Sequence, residues 1–191
     1  MTKPRILAFA GSARKGSWNV QLVKIAAEGA RQAGADVTVL NLNDYPLPLF
    51  NEDLEREGTP QNVTTLKQVF LDHHGLLISS PEYNSSITPL LKNTIDWVSR
   101  PVKGESRLAA YRNKVASLMA ASPGALGGLR GLVHVRAILS NIGVTVLPDQ
   151  MAVGHANEAF DPAGNLKDET QQTQIMQLGS RLAQTIAKLH S

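Results

Sequence analysis

Along the chain, short apolar runs alternate with segments whose apolar residues recur every three or four positions. RILAFA at 5–10 is compact and apolar and stops at Gly11, and it reads as a buried strand. From Ser17 to about Ala33, apolar residues recur at Val20, Val23, Ile25, Ala27 and Ala30 before Gly34, and the segment reads as a helix. The pattern then repeats. VTVLNL at 37–42 is a β-branched strand, the proline-rich stretch 43–60 a loop, 62–74 a helix, and GLLISS at 75–80 a third strand. A helix follows over 88–100, with Pro89 in the first turn, where a missing N–H costs nothing. VASLMAA at 115–121, a helix over 129–141, a strand VTVL at 144–147 and a closing helix over 167–190 complete the series.

Nearly continuous apolar strands alternating with helices predict a parallel sheet covered on both faces: a doubly wound α/β sandwich of five strands in the order 2-1-3-4-5. With 191 residues and no repeat or interdomain linker, the chain is expected to form one domain spanning 1–191. The 46–60 stretch exceeds the usual connection length, which suggests a functional or partner-binding role.

Composition removes several chemistries. The chain has no cysteine, so disulfides, thiol nucleophiles, cysteine-bound zinc and iron–sulfur clusters are excluded. The formal charge is +3 and the pI about 9.3, but lysines and arginines are dispersed, so no nucleic-acid stripe is expected. No run approaches the roughly 20 apolar residues of a membrane helix and no secretory signal is evident, so the expected address is cytoplasmic. The five histidines lack ligand spacing, and no G-x-S-x-G elbow occurs.

Ligands of such sheets bind outside the carboxyl ends of the strands. Three loops there are unusual. In GSARKGSWN (11–19), Ser12, Ser17 and Asn19 offer polar donors, Arg14 a charge, and the following helix its N-terminal dipole, a combination suited to phosphate. The loop is neither Walker A nor G-x-G-x-x-G, which favours a phosphate monoester that is held and not transferred; a capped turn with no ligand is the plain alternative. SPEYNSS follows strand three, and SPGALGGLR follows strand four with glycines that let a backbone approach a flat ligand. In this strand order the three ends are adjacent, and together they outline a phosphate-plus-ring site.

Three motifs, G-S-x-R-x-x-S-x-N (Gly11 to Asn19), P-E-Y-N-x-S with L-K-N-x-I-D-W (Pro81 to Trp97) and S-x-G-x-x-G-G-x-R (Ser122 to Arg130), resemble the flavodoxin-like NAD(P)H-dependent FMN reductases, which include quinone, azo-dye and chromate reductases. The resemblance covers nearly the whole chain. It implies that Ser12, Arg14, Ser17 and Asn19 hold the FMN phosphate, that Pro81, Glu82, Tyr83 and Asn84 line the isoalloxazine, and that Ser122, Gly124 and Gly127 form its other edge. No protein nucleophile or metal is then needed, because the flavin carries the chemistry. NADPH or NADH would be the donor in a ping-pong cycle, and a quinone, azo dye, free flavin or metal oxyanion such as chromate the acceptor. The alternative is a flavodoxin-like FMN electron carrier reduced by a protein partner, against which the basic pI speaks; a flavin-free interaction domain would require three coincidental loops. On the helix after Pro89, Leu91, Ile95 and Val98 form one stripe with Leu90, Thr94 and Trp97 beside it, wider than one sheet face needs. That width, and the family's habit, imply a homodimer or homotetramer.

Overall fold

In a computed structural model, which describes residues 3–102 and 104–190, the five strands form one parallel sheet in the order β2-β1-β3-β4-β5. They are β1 (Arg5–Ala10), β2 (Asp36–Leu40), β3 (Gly75–Ser79), β4 (Val115–Ala121) and β5 (Thr145–Val153). The helices are α1 (Trp18–Gln32), α2 (Glu52–Glu57), α3 (Gln61–Leu71), α4 (Pro89–Val98), α5 (Leu129–Asn141), α6 (Ala156–Ala159) and α7 (Glu169–Leu189).

Alternation along the central strands builds two cores. Ile6, Ala8, Leu77, Val115 and Met119 face α1 and α7, whereas Leu7, Phe9, Leu76, Ile78, Ala116 and Leu118 face α3, α4 and α5. β3 and β4 are buried along their whole length, which is why their sequences read as unbroken apolar runs. Between α1 and α7 the backbones nearly touch: a Cβ on Gly179 would lie 1.8 Å from the Ala26 carbonyl oxygen, and one on Gly29 2.0 Å from that of Met176.

The strand expected at 144–147 is longer. β5 pairs Val146 with Ala116 and Gln150 with Leu118, so Leu147, Pro148 and Asp149 bulge past a single residue of β4. A proline cannot donate to a ladder, and a bulge on an edge strand is where it is tolerated. Arg136 collects the bulge's carbonyls, donating from Nη2 to Leu147 O at 2.8 Å and Pro148 O at 3.3 Å. β2 is shorter than expected because Asn41 leaves the sheet to cap a single 3-10 turn, its Oδ1 accepting from Asn43 N.

The 43–60 stretch is not all loop: it contains α2, and its neighbouring residues are spent on α4. Pro48 O accepts from Asn93 Nδ2 (2.9 Å) and Trp97 Nε1 (2.8 Å), and Phe50 packs edge-on against Trp97 at 5.0 Å. Trp97 is therefore buried within its own chain, and the broad apolar face of α4 is explained without a second subunit.

At the opposite edge from the functional loops, burial pushes the Lys114 ammonium from 10.5 down to about 8, helped by nearby Arg5, while Asp72 opposes. Its Nζ donates to His73 O. In the unfolded chain Lys114 keeps its proton to higher pH, so between pH 8 and 10.5 the unfolded state binds more protons and this residue makes stability rise with pH. The slope is at most about 1.4 kcal/mol per pH unit. Urea titrations of wild type and Lys114→Met at pH 7.5 and 9.5 should show the variant losing ground to wild type at the higher pH; an unchanged difference would mean that Lys114 does not titrate in this window.

Candidate functional site: three loops at the carboxyl edge

β1, β3 and β4 end side by side, and the loops that leave them share a cavity lined by Ser12, Arg14, Ser17, Trp18, Asn19, Pro81, Glu82, Tyr83, Ala121, Ser122 and Pro123. Seven residues named from sequence as loop-one or loop-two ligands, plus Ser122, thus come together. Asn84, Gly124 and Gly127 do not line this cavity.

The first loop is held by its ends. Gly11 N donates to Ser79 O at 2.9 Å, and Thr88 Oγ1 donates to Gly11 O at 2.7 Å while accepting Leu91 N to cap α4. A Cβ on Gly11 would meet Leu91 Cβ at 2.9 Å, so the loop can pass this helix only as glycine. Ser17 is the N-cap of α1, in extended conformation, but its hydroxyl makes no cap bond. Ser12 is 7% and Ser17 3% exposed, and among the described residues the backbone N–H groups of Ser17, Trp18 and Asn19 have no protein acceptor. Polar groups so placed are normally satisfied. A helix N-terminus with free N–H groups, two buried hydroxyls and the Arg14 guanidinium is a cradle for an anion with several oxygens.

Arg14 is aimed by an aromatic residue that sequence reading missed: its Cζ sits 4.5 Å from the centre of the Trp18 ring. Trp18 also lines the cavity. The only hint in the sequence was an aromatic residue at the first helical position. Asn19, expected to offer its amide to phosphate, is instead a brace. Its Nδ2 donates to Ala121 O (2.8 Å), and its Oδ1 accepts from Ser79 Oγ (2.8 Å) and Ala121 N (3.0 Å), tying α1 to the ends of β3 and β4. Only its backbone N–H faces the cradle as a free donor.

In the second loop Tyr83 and Ser86 exchange both backbone hydrogen bonds, closing a two-residue turn in which Asn84 (φ 51°) and Ser85 (φ 67°) are left-handed. That is the geometry of a primed hairpin turn, for which asparagine is suited. Asn84 is therefore a turn residue at the tip, and Tyr83, 53% exposed, stands at the mouth of the cavity. Glu82 reaches away to the third loop. Its carboxylate accepts Arg130 Nε (2.9 Å) and Nη2 (2.6 Å) and, on the other oxygen, Gly131 N (3.0 Å). Burial alone would raise this carboxyl, but the Gly131 N–H and the Arg130 guanidinium outweigh it and hold it below the ordinary glutamate value. Glu82 thus locks loop two to the start of α5, leaving its own backbone N–H unpaired among the described residues.

A folded carboxyl held below its unfolded value contributes stability above that value and loses it as pH falls through the folded one. Glu82→Gln removes that contribution and is expected to cost about 1 kcal/mol at pH 7. The cost should shrink below pH 4, as read by chemical denaturation across pH; a constant difference would mean the carboxylate's charge is irrelevant to the clamp.

The third loop's glycines divide by role. Gly124 has open space around it. Gly127 (φ 62°), expected at the ring edge, packs its Cα against the end of β5: a Cβ there would lie 2.6 Å from Val153 C. It serves the fold by letting the loop cross that strand. Gly128 (φ 96°) caps α5.

Among the described residues no group of three His, Asp or Glu could hold a metal ion, and no helix is long and apolar enough to cross a membrane. A family model described as NADPH-dependent FMN reductase matches residues 4–158. The chain is 32% identical over 184 residues to an NAD(P)H-dependent FMN reductase of Pseudomonas aeruginosa, covering 93% of this chain and 95% of that one. It is 32% identical over 178 residues to an NADPH:quinone oxidoreductase of Arabidopsis thaliana, covering 91% and 87% respectively. Among solved structures, it is similar to FerB, a flavoenzyme NAD(P)H:(acceptor) oxidoreductase from Paracoccus denitrificans, with a TM-score of 0.79 at 26% identity over 97% of this chain and 98% of that one.

Proposed function

The chain belongs to the NADPH-dependent FMN reductase family and is an oxidoreductase, and from that premise we propose that its three-loop cavity holds FMN to reduce quinones at the expense of NADPH or NADH. The observation that carries this reading is the cradle of loop one, whose buried hydroxyls and free N–H groups match a phosphate monoester and open directly into the wall formed by loops two and three. Ser12, Ser17 and Arg14 hold the phosphate, with the N–H groups of Trp18 and Asn19. Pro81, Glu82 and Tyr83 border the ring on one side and Ser122 with Pro123 on the other, and the Glu82 N–H is free to donate to its polar edge. FMN supplies the two-electron chemistry, so the chain supplies binding, orientation and electrostatics.

Tyr83, half-exposed, lines the cavity, and a ring bound against it would offer one accessible face to donor and acceptor alike. Sharing that face makes the two bind in turn, a ping-pong cycle. The quinone class is supported by the name of the Arabidopsis relative; azo dyes, free flavin and chromate are further acceptors of the same open face. The protein as isolated should take up one FMN per chain, seen as a yellow complex with quenched flavin fluorescence. Steady-state rates with NADPH and NADH against a benzoquinone should give parallel double-reciprocal lines. Intersecting lines would overturn alternate binding, and the absence of any turnover in an FMN-loaded sample would overturn the enzymatic reading in favour of a carrier.

A further inference from the structure

A second cavity opens on the other side of the phosphate loop. It lies in the crevice between the ends of β1 and β2, under α1, has a volume of about 310 Å³, and is lined by Ala10, Ser12, Val20, Val23, Lys24, Val39, Leu40, Asn41 and Leu42. That volume falls in the range of small-ligand sites. The walls are mostly apolar, and the lining carries one charge, Lys24, with no carboxylate.

The crevice is continuous with the cradle. A third cavity, of about 340 Å³, runs along loop one from Ser12 to Ser17 and shares Ser12, Val20, Lys24 and Asn41 with the crevice. It shares Ser12, Arg14 and Ser17 with the three-loop cavity. The sequence of spaces is therefore a ring wall, an anion loop and an apolar slot.

The slot's mouth is held in shape. Asn41 is occupied by Asn43 N and by Asp44, to which its Nδ2 donates at 3.0 Å, and Asn43 Nδ2 reaches across to Ala13 O at 3.3 Å, joining the turn after β2 to loop one. Lys24 makes no ion pair among the described residues; Glu28, one turn further along α1, is engaged by Arg31 at 3.8 Å and by Gln32. Val39 is 38% exposed although it sits on a strand facing α1, so an apolar surface is left uncovered at the crevice. In open α/β sheets ligands bind outside the carboxyl ends of the strands, and this crevice lies at that same edge, on the side of β1 away from the β1–β3 switch point.

We propose that the β1–β2 crevice is a subsite for a purine nucleoside 5′-phosphate, the adenosine monophosphate half of a dinucleotide whose phosphates lie on loop one or at its rim. The flat base slides between Val39 and the Val20–Val23 face of α1, and Lys24 meets phosphate at the mouth. Two sources share this chemistry: a flavin dinucleotide taken in place of FMN, and the adenosine end of the nicotinamide donor. The inference rests on the proposed FMN site for the role of loop one, but the crevice is tested without flavin.

The test is isothermal titration of flavin-free protein with AMP, alongside FMN and FAD affinities and the KM for NADPH, in wild type, Val39→Glu and Lys24→Glu. Both residues are exposed, and thermal unfolding confirms that each variant is folded. AMP binding in wild type weakened at least about tenfold in both variants, with FMN affinity unchanged within about twofold, is the expected result. A parallel loss in FAD affinity assigns the slot to a flavin dinucleotide; a parallel rise in KM for NADPH with FAD affinity unmoved assigns it to the donor. No AMP binding to wild type, or AMP binding indifferent to both variants, overturns the subsite. Failure of FMN to bind overturns the flavin reading and leaves the AMP result to stand on its own.

Discussion

Ser17→Asp is expected to abolish working FMN affinity while leaving the protein folded. The N-cap of α1 presents an extended backbone, an unbonded hydroxyl and a run of free N–H groups at the positive end of a helix of 15 residues. Aspartate is as good an N-cap as serine, and its carboxylate also suits the helix dipole, so the cap should gain rather than lose stability. The same carboxylate would occupy the donors that a phosphate needs and place a negative charge against a dianion. We expect the dissociation constant for FMN to rise about 100-fold or more, which is about 2.7 kcal/mol. Ser17→Ala removes one hydroxyl and should cost about tenfold. Fluorescence titration of FMN checks the affinity and a thermal melt checks the fold. A folded Ser17→Asp protein that binds FMN like wild type would remove loop one from the phosphate site.

Gly179→Ala is expected to do the reverse, damaging the fold and sparing the site. The Cβ of an alanine would sit 1.8 Å from Ala26 O and 2.8 Å from Ala26 C, both backbone atoms that no rotamer change can move. α1 and α7 would have to part, loosening the packing of Leu22, Ile25 and Ala26 against Leu178, Leu182 and Ala183. Ser180 Oγ, which donates to Gly29 O at 2.8 Å, would lose that bond as the helices separate. A cost of about 3 kcal/mol follows from overpacking of this kind, which lowers the melting temperature by about 10 °C for a chain of this length. Gly29→Ala should behave alike, because its Cβ would lie 2.0 Å from Met176 O. Melting within about 2 °C of wild type would show that the helices are not in backbone contact. At temperatures where the variant stays folded, FMN affinity should match wild type, since the contact lies along the helices and not at the carboxyl edge.

The two substitutions mark different kinds of information. The Ser17 cap was readable because its evidence is local: a strand ends, small and hydroxyl residues follow, and a helix begins within a few positions. The contact at Gly179 was not, because Gly179 meets Ala26 and Gly29 meets Met176 across most of the chain, and neither glycine stands in a turn that would single it out. The same division runs through the site. Ser12, Arg14, Pro81 and Ser122 were placed in one cavity by strand order alone, since loops leaving adjacent strand ends have nowhere else to meet. Asn19 has the composition of a phosphate ligand and the geometry of a brace, which only Ala121 and Ser79 on other strands disclose. Gly127 reads as a ligand-contact glycine but faces Val153 at the end of β5. Glu82 reads as a residue of its own loop, yet its carboxylate belongs to Arg130 and Gly131.

By itself, then, the amino-acid sequence determined the layered α/β architecture, the parallel sheet and the edge where the ligand loops gather. Those features follow from periodicity and turn chemistry, which act over a few residues and leave their record in consecutive positions. Tertiary structure decided the rest: how far β5 runs past Pro148, that the 46–50 segment roofs Trp97, which loop residues face the cavity and which hold the loops together, and that a slot remains open between β1 and β2. Each of these depends on partners tens of residues away, whose packing the local pattern does not encode.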